Sequence, residues 1–143
     1  MKILGLNVSK ISGERKNPIK DKLEIKQNID VKNIEKQEIA ISDKPGIKVD
    51  FEYIIKYEPK IAEIEIKGSV LVLDDDNKSK EIIKEWKKKK LISGFKLPVY
   101  NYIIKKVSLR AIQLEDELAL PLHHPFPKIA AKPASKENPN YTG

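Results

Sequence analysis

The stretch "IKVDFEYIIKY", residues 47–57, decides the fold because large apolar side chains occupy every second position. These are Ile47, Val49, Phe51, Tyr53, Ile55 and Tyr57. Alternation with a period of two places them on one face of a β-strand. The short turn "EPK" at 58–60 leads into "IAEIEIKGSVLVL" at 61–73, which alternates in the same way. The two stretches therefore predict a long antiparallel hairpin, in which Gly68 marks a bulge or the close approach of another backbone.

Two more strands are predicted on the amino-terminal side of this hairpin. The stretch "ILGLNVSKIS" at 3–12 roughly alternates between apolar and polar residues until "GERKNP" interrupts the pattern. In "LEIKQNIDVKNI" at 23–34, most apolar residues lie at odd-numbered positions and would therefore share one face of a strand. "SDKPG" at 42–46 has the composition of a turn. An apolar face opposite a charged face is typical of antiparallel strands with one side in water. We therefore expect a meandering sheet of four antiparallel strands.

Helical periodicity replaces the alternation after "DDDN" at 74–77. Ile82, Ile83 and Trp86 share one side of a first helix, which Asp76, Asn77 or Ser79 could cap. "LISGFK" at 91–96 is interpreted as a connector, and a longer helix is expected to begin around Pro98 and to end before Pro121. Strands followed by helices indicate an α+β fold, with the long C-terminal helix packed on the sheet.

Length and composition narrow the function. With 143 residues the chain suits one domain, predicted over 1–129, followed by a disordered or partner-ordered tail over 130–143. Without cysteine it has no disulfide and no thiolate site. We find neither a signal peptide nor an apolar run long enough for a membrane helix, and therefore expect a cytoplasmic protein that does not insert into membranes.

No motif for catalysis, metal binding or cofactor binding is present. GxGxxG, the P-loop, HExxH and GxSxG are all missing, so we expect no enzyme and no cofactor. His123 and His124 are adjacent and lack a zinc-like spacing, so we interpret them as structural. Asp74, Asp75 and Asp76 do not have the spacing of a calcium loop and are interpreted as a turn and helix cap.

Two surface features point to a binding function. Leu91, Ile92, Phe95 and Leu97 lie in the predicted connector, where large apolar residues must pack on the core, join an oligomer or bind a partner. The net charge of +7 and the run Lys87, Lys88, Lys89 and Lys90 favour an RNA- or ribosome-associated protein as the alternative, in which these lysines contact phosphates.

The element order and the stretch "LPVYNYIIKKVSLRAIQLEDELALPLHHPFPKI", Leu97 to Ile129, resemble the SecB family of export chaperones. In that family a long helix likewise begins after a proline and leads into an extended segment containing leucine and proline. The chain looks like an archaeal SecB-like protein, although SecB proteins are typically acidic and this chain is basic.

The resemblance implies an ATP-independent holdase that binds unfolded or preprotein chains in protein export and assembles as a homotetramer. Some SecB-like proteins guard a toxin–antitoxin system, which is a further alternative. Because their side chains are apolar, we expect residues of the first strand and of the helix connector to bind clients. These residues are Leu4, Leu6, Val8, Trp86, Leu91, Ile92, Phe95 and Leu97.

Overall fold

The computed structural model describes residues 1–40 and 42–125, which form four strands and then two helices. The elements are β1 (Lys2–Arg15), β2 (Glu24–Gln37), β3 (Gly46–Glu58), β4 (Ala62–Leu73), α1 (Asp76–Lys87) and α2 (Ser93–Glu117). The α+β prediction is confirmed. The predicted tail over 130–143 and the predicted end of the domain at 126–129 lie outside the described residues.

The sheet is antiparallel throughout, with the strand order β1-β4-β3-β2. The β3–β4 hairpin is present as predicted, with Val49 opposite Val70 and Tyr53 opposite Ile66. The predicted meander is wrong for β1, which pairs with β4 instead of β2. The chain from 16 to 23 consequently connects the two outermost strands, and the four strands form a Greek key.

Gly68 has both of the properties predicted for it. It lies opposite Val8, beside a register shift between Val8 and Lys10. A Cβ atom at Gly68 would lie 2.2 Å from the backbone oxygen of Asn7 and 3.1 Å from Cζ of Phe51. Only glycine therefore allows β1 to approach β4 this closely.

The buried residues of helix α2 form a single row with a spacing of four, and Tyr102 and Leu114 pack beside it as partly buried residues. The row consists of Phe95, Val99, Ile103, Val107, Ala111 and Glu115, all of them buried. Beneath the helices, the alternating residues of β3 and β4 are almost fully buried. Burying a large apolar side chain contributes about 1.5–3 kcal/mol, so this face provides most of the core. Helix α2 contacts β4 and β1, whereas α1 contacts β2.

The helix starts differ from the prediction. Asp75 caps α1, because its side chain accepts a hydrogen bond of 2.8 Å from the N–H of Lys78. Helix α2 begins at Ser93, so most of the predicted connector is helical and Pro98 lies inside the helix. Because proline has no N–H, Pro98 leaves the carbonyl of Gly94, four residues earlier, without its helical hydrogen bond. A Cβ atom at Gly94 would meet no heavy atom within 4 Å, so the surroundings of this residue are open.

Both helices end with a residue in the left-handed conformation. Lys89 follows α1 with a φ of 60°, and Ala119 follows α2 with a φ of 53°. After α2, the N–H groups of Ala119 and Leu120 bond to the carbonyls of Asp116 and Glu115, which is a Schellman motif. Glycine usually occupies the left-handed position, because it has no Cβ to clash.

Neither described helix combines the length and the apolar character that crossing a membrane requires.

Candidate functional site

Strand β1 carries three of the predicted client-binding residues. Leu6 and Val8 lie opposite Val70 and Gly68, on the side of the sheet that faces the helices, and both are half-buried. Leu4 falls in a register shift between Ile3 and Gly5 and is 39% exposed. Ile11, which we did not predict, is 47% exposed. Strand β1 thus presents an interrupted row of apolar side chains that the core covers only in part.

The same strand lies at an edge of the sheet. It pairs with β4 on one side, and no strand of the described residues pairs with its other side. The free backbone N–H and C=O groups along such an edge can pair with another extended chain. On the paired side, Lys10 donates to Glu65 at 3.1 Å, and this hydrogen bond holds the pKa of the Glu65 carboxyl below its usual value.

The five predicted residues around the helix connector divide into three groups. Phe95 belongs to the buried row of α2 and is therefore part of the core. Trp86, Leu91 and Ile92 are half-buried against that core. Leu97 is 64% exposed and points away from the core. Only Leu97 of this group presents most of its surface to a partner.

A second row of α2 lies on the side of the helix away from the sheet. Its members are Leu97, Asn101, Lys105, Leu109 and Gln113, all exposed. Leu109 is 69% exposed and lies about 18 Å from Leu97 along the helix, at 1.5 Å per residue. Our prediction from the sequence missed Leu109. The sequence signal for the exposure of Leu109 is its position, because Leu109 lies outside the row of residues spaced four apart that includes Val99 and Val107.

The helical side of the protein is strongly basic. The predicted lysines at 87–90 are exposed and surround the end of α1. Three lysines lie over aromatic rings: Lys89 is 4.6 Å from the centre of the Trp86 ring, Lys96 5.3 Å from that of Tyr100, and Lys106 5.6 Å from that of Tyr102. A cation over a ring is attracted by its electron-rich face, so these lysines cover the rings of their own chain.

A cleft of about 580 Å³ lies where the chain leaves β1 and crosses to β2. Pro18, Pro59 and Ile61 supply apolar surface, and Lys20, Lys22 and Lys60 surround it. Asn17 also lines the cleft and donates to the carbonyl of Lys60 at 2.6 Å. Its volume is within the range of small-ligand sites, so it could accept a few side chains of a bound peptide.

The two histidines have different environments. His124 is exposed, whereas His123 is buried beside Glu115, a carboxylate with no exposed surface. The His123 backbone N–H donates to Glu115 Oε2 at 2.8 Å, and Nδ1 lies 2.8 Å from Oε1. Tyr57 donates to the same carboxylate and lies 2.6 Å from the carbonyl oxygen of Pro121. Through these contacts His123 holds the segment after α2 against the domain.

The Glu115 network also affects two tyrosines. Burial raises the pKa of the Tyr57 hydroxyl above its usual value, and the hydrogen bond and negative charge of Glu115 raise it further. Burial, followed by the charge of Glu115, likewise raises the pKa of Tyr53. Both hydroxyls therefore stay protonated, as hydrogen-bond donors, to a higher pH than an exposed tyrosine would.

Within residues 1–40 and 42–125, no three acidic or histidine side chains are grouped so that they could hold a metal ion. Asp74 and Asp75 have local partners instead, because the Asp74 side chain accepts from the N–H of Asp75 and the Asp75 side chain caps α1.

No family model matches the chain. No curated protein matches it either. Among solved structures, it is similar to the SecB-like chaperone Rv1957 of Mycobacterium tuberculosis, which was solved in complex with a ChAD peptide from the Rv1956 HigA1 antitoxin. The TM-score is 0.51 with 14% sequence identity, and the match covers 85% of each chain. The four-stranded antiparallel sheet followed by two helices therefore matches the fold of this structure.

Proposed function

We propose that this protein is an ATP-independent chaperone, which holds unfolded or unstructured polypeptide chains. The observation that carries the proposal is the free edge of β1, where unpaired backbone groups adjoin the exposed side chains of Leu4 and Ile11. The similarity of the fold to a SecB-like chaperone that binds a peptide supports it.

The edge matches what an unfolded chain offers. A non-native chain exposes apolar side chains together with backbone groups that have lost their partners. An extended segment can add to β1 as a fifth strand, which pairs its backbone and places alternate side chains beside Leu6 and Val8. Because such a site binds unfolded and not native chains, it keeps clients from aggregating without any catalytic step.

The helix connector supplies the second part of the proposed site. Leu97 offers an exposed aliphatic side chain, and Trp86, Leu91 and Ile92 offer partial surfaces beside it. Phe95 acts indirectly in this proposal, because its burial anchors the first turn of α2 below Leu97.

Self-association is part of the proposal. The opposite edge of the sheet, β2, is 14 residues long and can pair with a second copy while β1 holds a client, and we expect a homotetramer. Light scattering on the purified protein tests this assembly, and a monomer at working concentration would contradict it.

The chaperone proposal is tested by aggregation. At a stoichiometric ratio, the protein is expected to suppress the light scattering of a chemically unfolded test protein diluted into buffer. Leu4→Ser and Leu97→Ser should each weaken suppression, whereas Asn101→Ser, on the same exposed row as Leu97, should not. A wild-type protein that leaves aggregation unchanged would overturn the proposal.

A role beside a toxin–antitoxin system is a second candidate, favoured by the antitoxin peptide bound to the similar chaperone. In that case the client is one antitoxin, encoded next to this protein. Co-expression should raise the soluble amount of that antitoxin, and a neighbourhood without such genes would remove this candidate.

RNA binding is the third candidate and is favoured by the exposed lysines at 87–90. Phosphate contacts release counterions, so the affinity for single-stranded RNA should fall steeply between about 50 and 200 mM salt. Salt-independent binding would argue against it. A role in export, a cytoplasmic location and an archaeal source stay predictions from the sequence.

A further inference from the structure

The positive charge of this protein is concentrated in one part of the chain. Residues 84–113 contain nine basic side chains and one acidic side chain, Glu85. The basic side chains are Lys84, Lys87, Lys88, Lys89, Lys90, Lys96, Lys105, Lys106 and Arg110. This stretch therefore carries a net charge of +8, compared with +7 for the whole chain, so the rest of the chain is close to neutral.

The sheet has a different charge pattern. Of the eight lysines in its strands, five lie within 4.0 Å of a carboxylate of the described residues, as in the pairs Lys10–Glu65 at 3.1 Å and Lys67–Glu52 at 3.8 Å. Of the nine basic residues at 84–113, Lys88 alone lies within 4.0 Å of a carboxylate of the described residues, at 3.9 Å from Glu85. The helical side thus has positive charge that the described part of the chain leaves unneutralised.

Exposed aliphatic side chains lie among these charges. Leu97 and Leu109 stand on the outward row of α2 with Lys105 between them, and Ile104 is 41% exposed beside that row. A surface of aliphatic anchors separated by lysines matches a partner with the same apolar spacing and opposite charge.

Charge excludes two occupants of this surface. A symmetric contact with a second copy would bring two basic surfaces together, which is unfavourable. The sequence from 126 to 143 contains three lysines and a single glutamate, so its charge does not complement this surface either.

Nucleic acid fits this surface less well than an acidic polypeptide does. RNA binds through phosphates and through bases stacked on open aromatic rings. Here the rings of Trp86, Tyr100 and Tyr102 are half-buried and covered by lysines, and the exposed apolar groups are aliphatic.

We propose that the outward row of α2 selects acidic client segments that carry two large apolar side chains. This inference rests on the proposed chaperone function and specifies its clients. The anchors of the client meet Leu97 and Leu109, and its carboxylates lie among Lys96, Lys105 and Lys106. Because the two leucines are about 18 Å apart, an extended client at roughly 3.3 Å per residue has its anchors five or six residues apart.

The test uses three fluorescent peptides and an RNA, with affinity measured by anisotropy on the full chain. The first peptide carries two leucines six residues apart with aspartate and glutamate between them. The second replaces these acids with lysine and arginine, and the third keeps the acids but replaces both leucines with serine. The RNA is a single-stranded oligouridylate of similar length.

We expect the acidic two-leucine peptide to bind about tenfold more tightly than either of the other peptides. Leu109→Ser and Lys105→Glu should each weaken its binding severalfold. Lys56→Glu, which makes the same charge change on an exposed residue of β3, should leave binding unchanged. Melting temperatures of the variants confirm that they are folded.

Each other outcome overturns the inference in a recognisable way. Equal binding of the acidic and basic peptides, with aggregation still suppressed, would support the chaperone function but contradict its preference for acidic clients. Tighter binding of the oligouridylate would assign the basic surface to RNA. No suppression of aggregation and no peptide binding would remove the chaperone function itself.

Discussion

Glu115 and His123 are joined twice, because one carboxylate oxygen accepts the backbone N–H of His123 and the other lies against its ring nitrogen, both at 2.8 Å. With the Tyr57 hydroxyl, three donors converge on a carboxylate that has no contact with water. A buried charge is tolerable only when it is paired and hydrogen-bonded in this way. The arrangement ties the end of α2, the segment after it and β3 into one unit.

Glu115→Gln is expected to destabilise the protein by about 3 kcal/mol, because the amide nitrogen cannot accept a hydrogen bond from His123 or Tyr57. Thermal unfolding should show a melting temperature lower by roughly 10 °C. Glu117→Gln, two residues away and exposed, should change stability by less than about 0.5 kcal/mol. Equal melting of the two variants would mean that the network contributes nothing.

Alkaline pH should weaken the fold through Tyr57 and Tyr53. Their pKa values are raised in the folded state, so their contribution is complete below the unfolded value of about 10 and is lost as the pH rises above it toward the folded values. Urea midpoints measured from pH 8 to pH 11 should therefore fall. Tyr57→Phe should flatten this dependence, and Tyr102→Phe, at a half-buried tyrosine of α2 outside the Glu115 network, should leave it as steep as in the wild type.

Gly68→Ala should disrupt the pairing of β1 with β4, since the new methyl group would lie 2.2 Å from the Asn7 oxygen. We expect a loss of about 2–4 kcal/mol. Hydrogen exchange should show lower protection along β1. Gly5→Ala is the matched control on β1, because its Cβ would meet nothing within 4 Å. Similar losses in both variants would show that strand glycines matter here for reasons other than this contact.

Ala119→Gly should stabilise the protein by about 0.5–1 kcal/mol, because glycine adopts the φ of 53° without a steric penalty. Chemical denaturation measures the change. Ala111→Gly, inside α2, should have the opposite sign, as glycine costs about 1 kcal/mol in a helix interior. A loss of stability in Ala119→Gly would contradict the left-handed assignment.

Periodicity identified which side of each strand faces the core, as the residues from Ile47 to Tyr57 show. It did not identify strand neighbours, because Leu6 alternates in the same way whether β1 pairs with β2 or with β4. The start of α2 was misplaced since Gly94 and Pro98 both signal a break, and here the burial of Phe95 outweighs them.

The candidate surface was predictable in part. Leu97 was singled out because it is a large apolar residue in the predicted connector, whereas Leu109 needed the direction of the buried row before its exposure was clear. Glu115 continues that row four residues after Ala111, but a glutamate there signals solvent. Its partners Tyr57 and His123 are distant in sequence or outside the helix, so only the packed chain reveals them.

The strand order has a consequence for how this protein is made. Strand β1 leaves the ribosome before the other three strands, yet its only strand partner in the described fold, β4, is complete only when Leu73 has been added. At about 5–20 residues per second, Leu4, Leu6 and Val8 wait several seconds without a partner. During synthesis, each new chain therefore presents the same kind of unpaired apolar strand that the finished protein is proposed to hold.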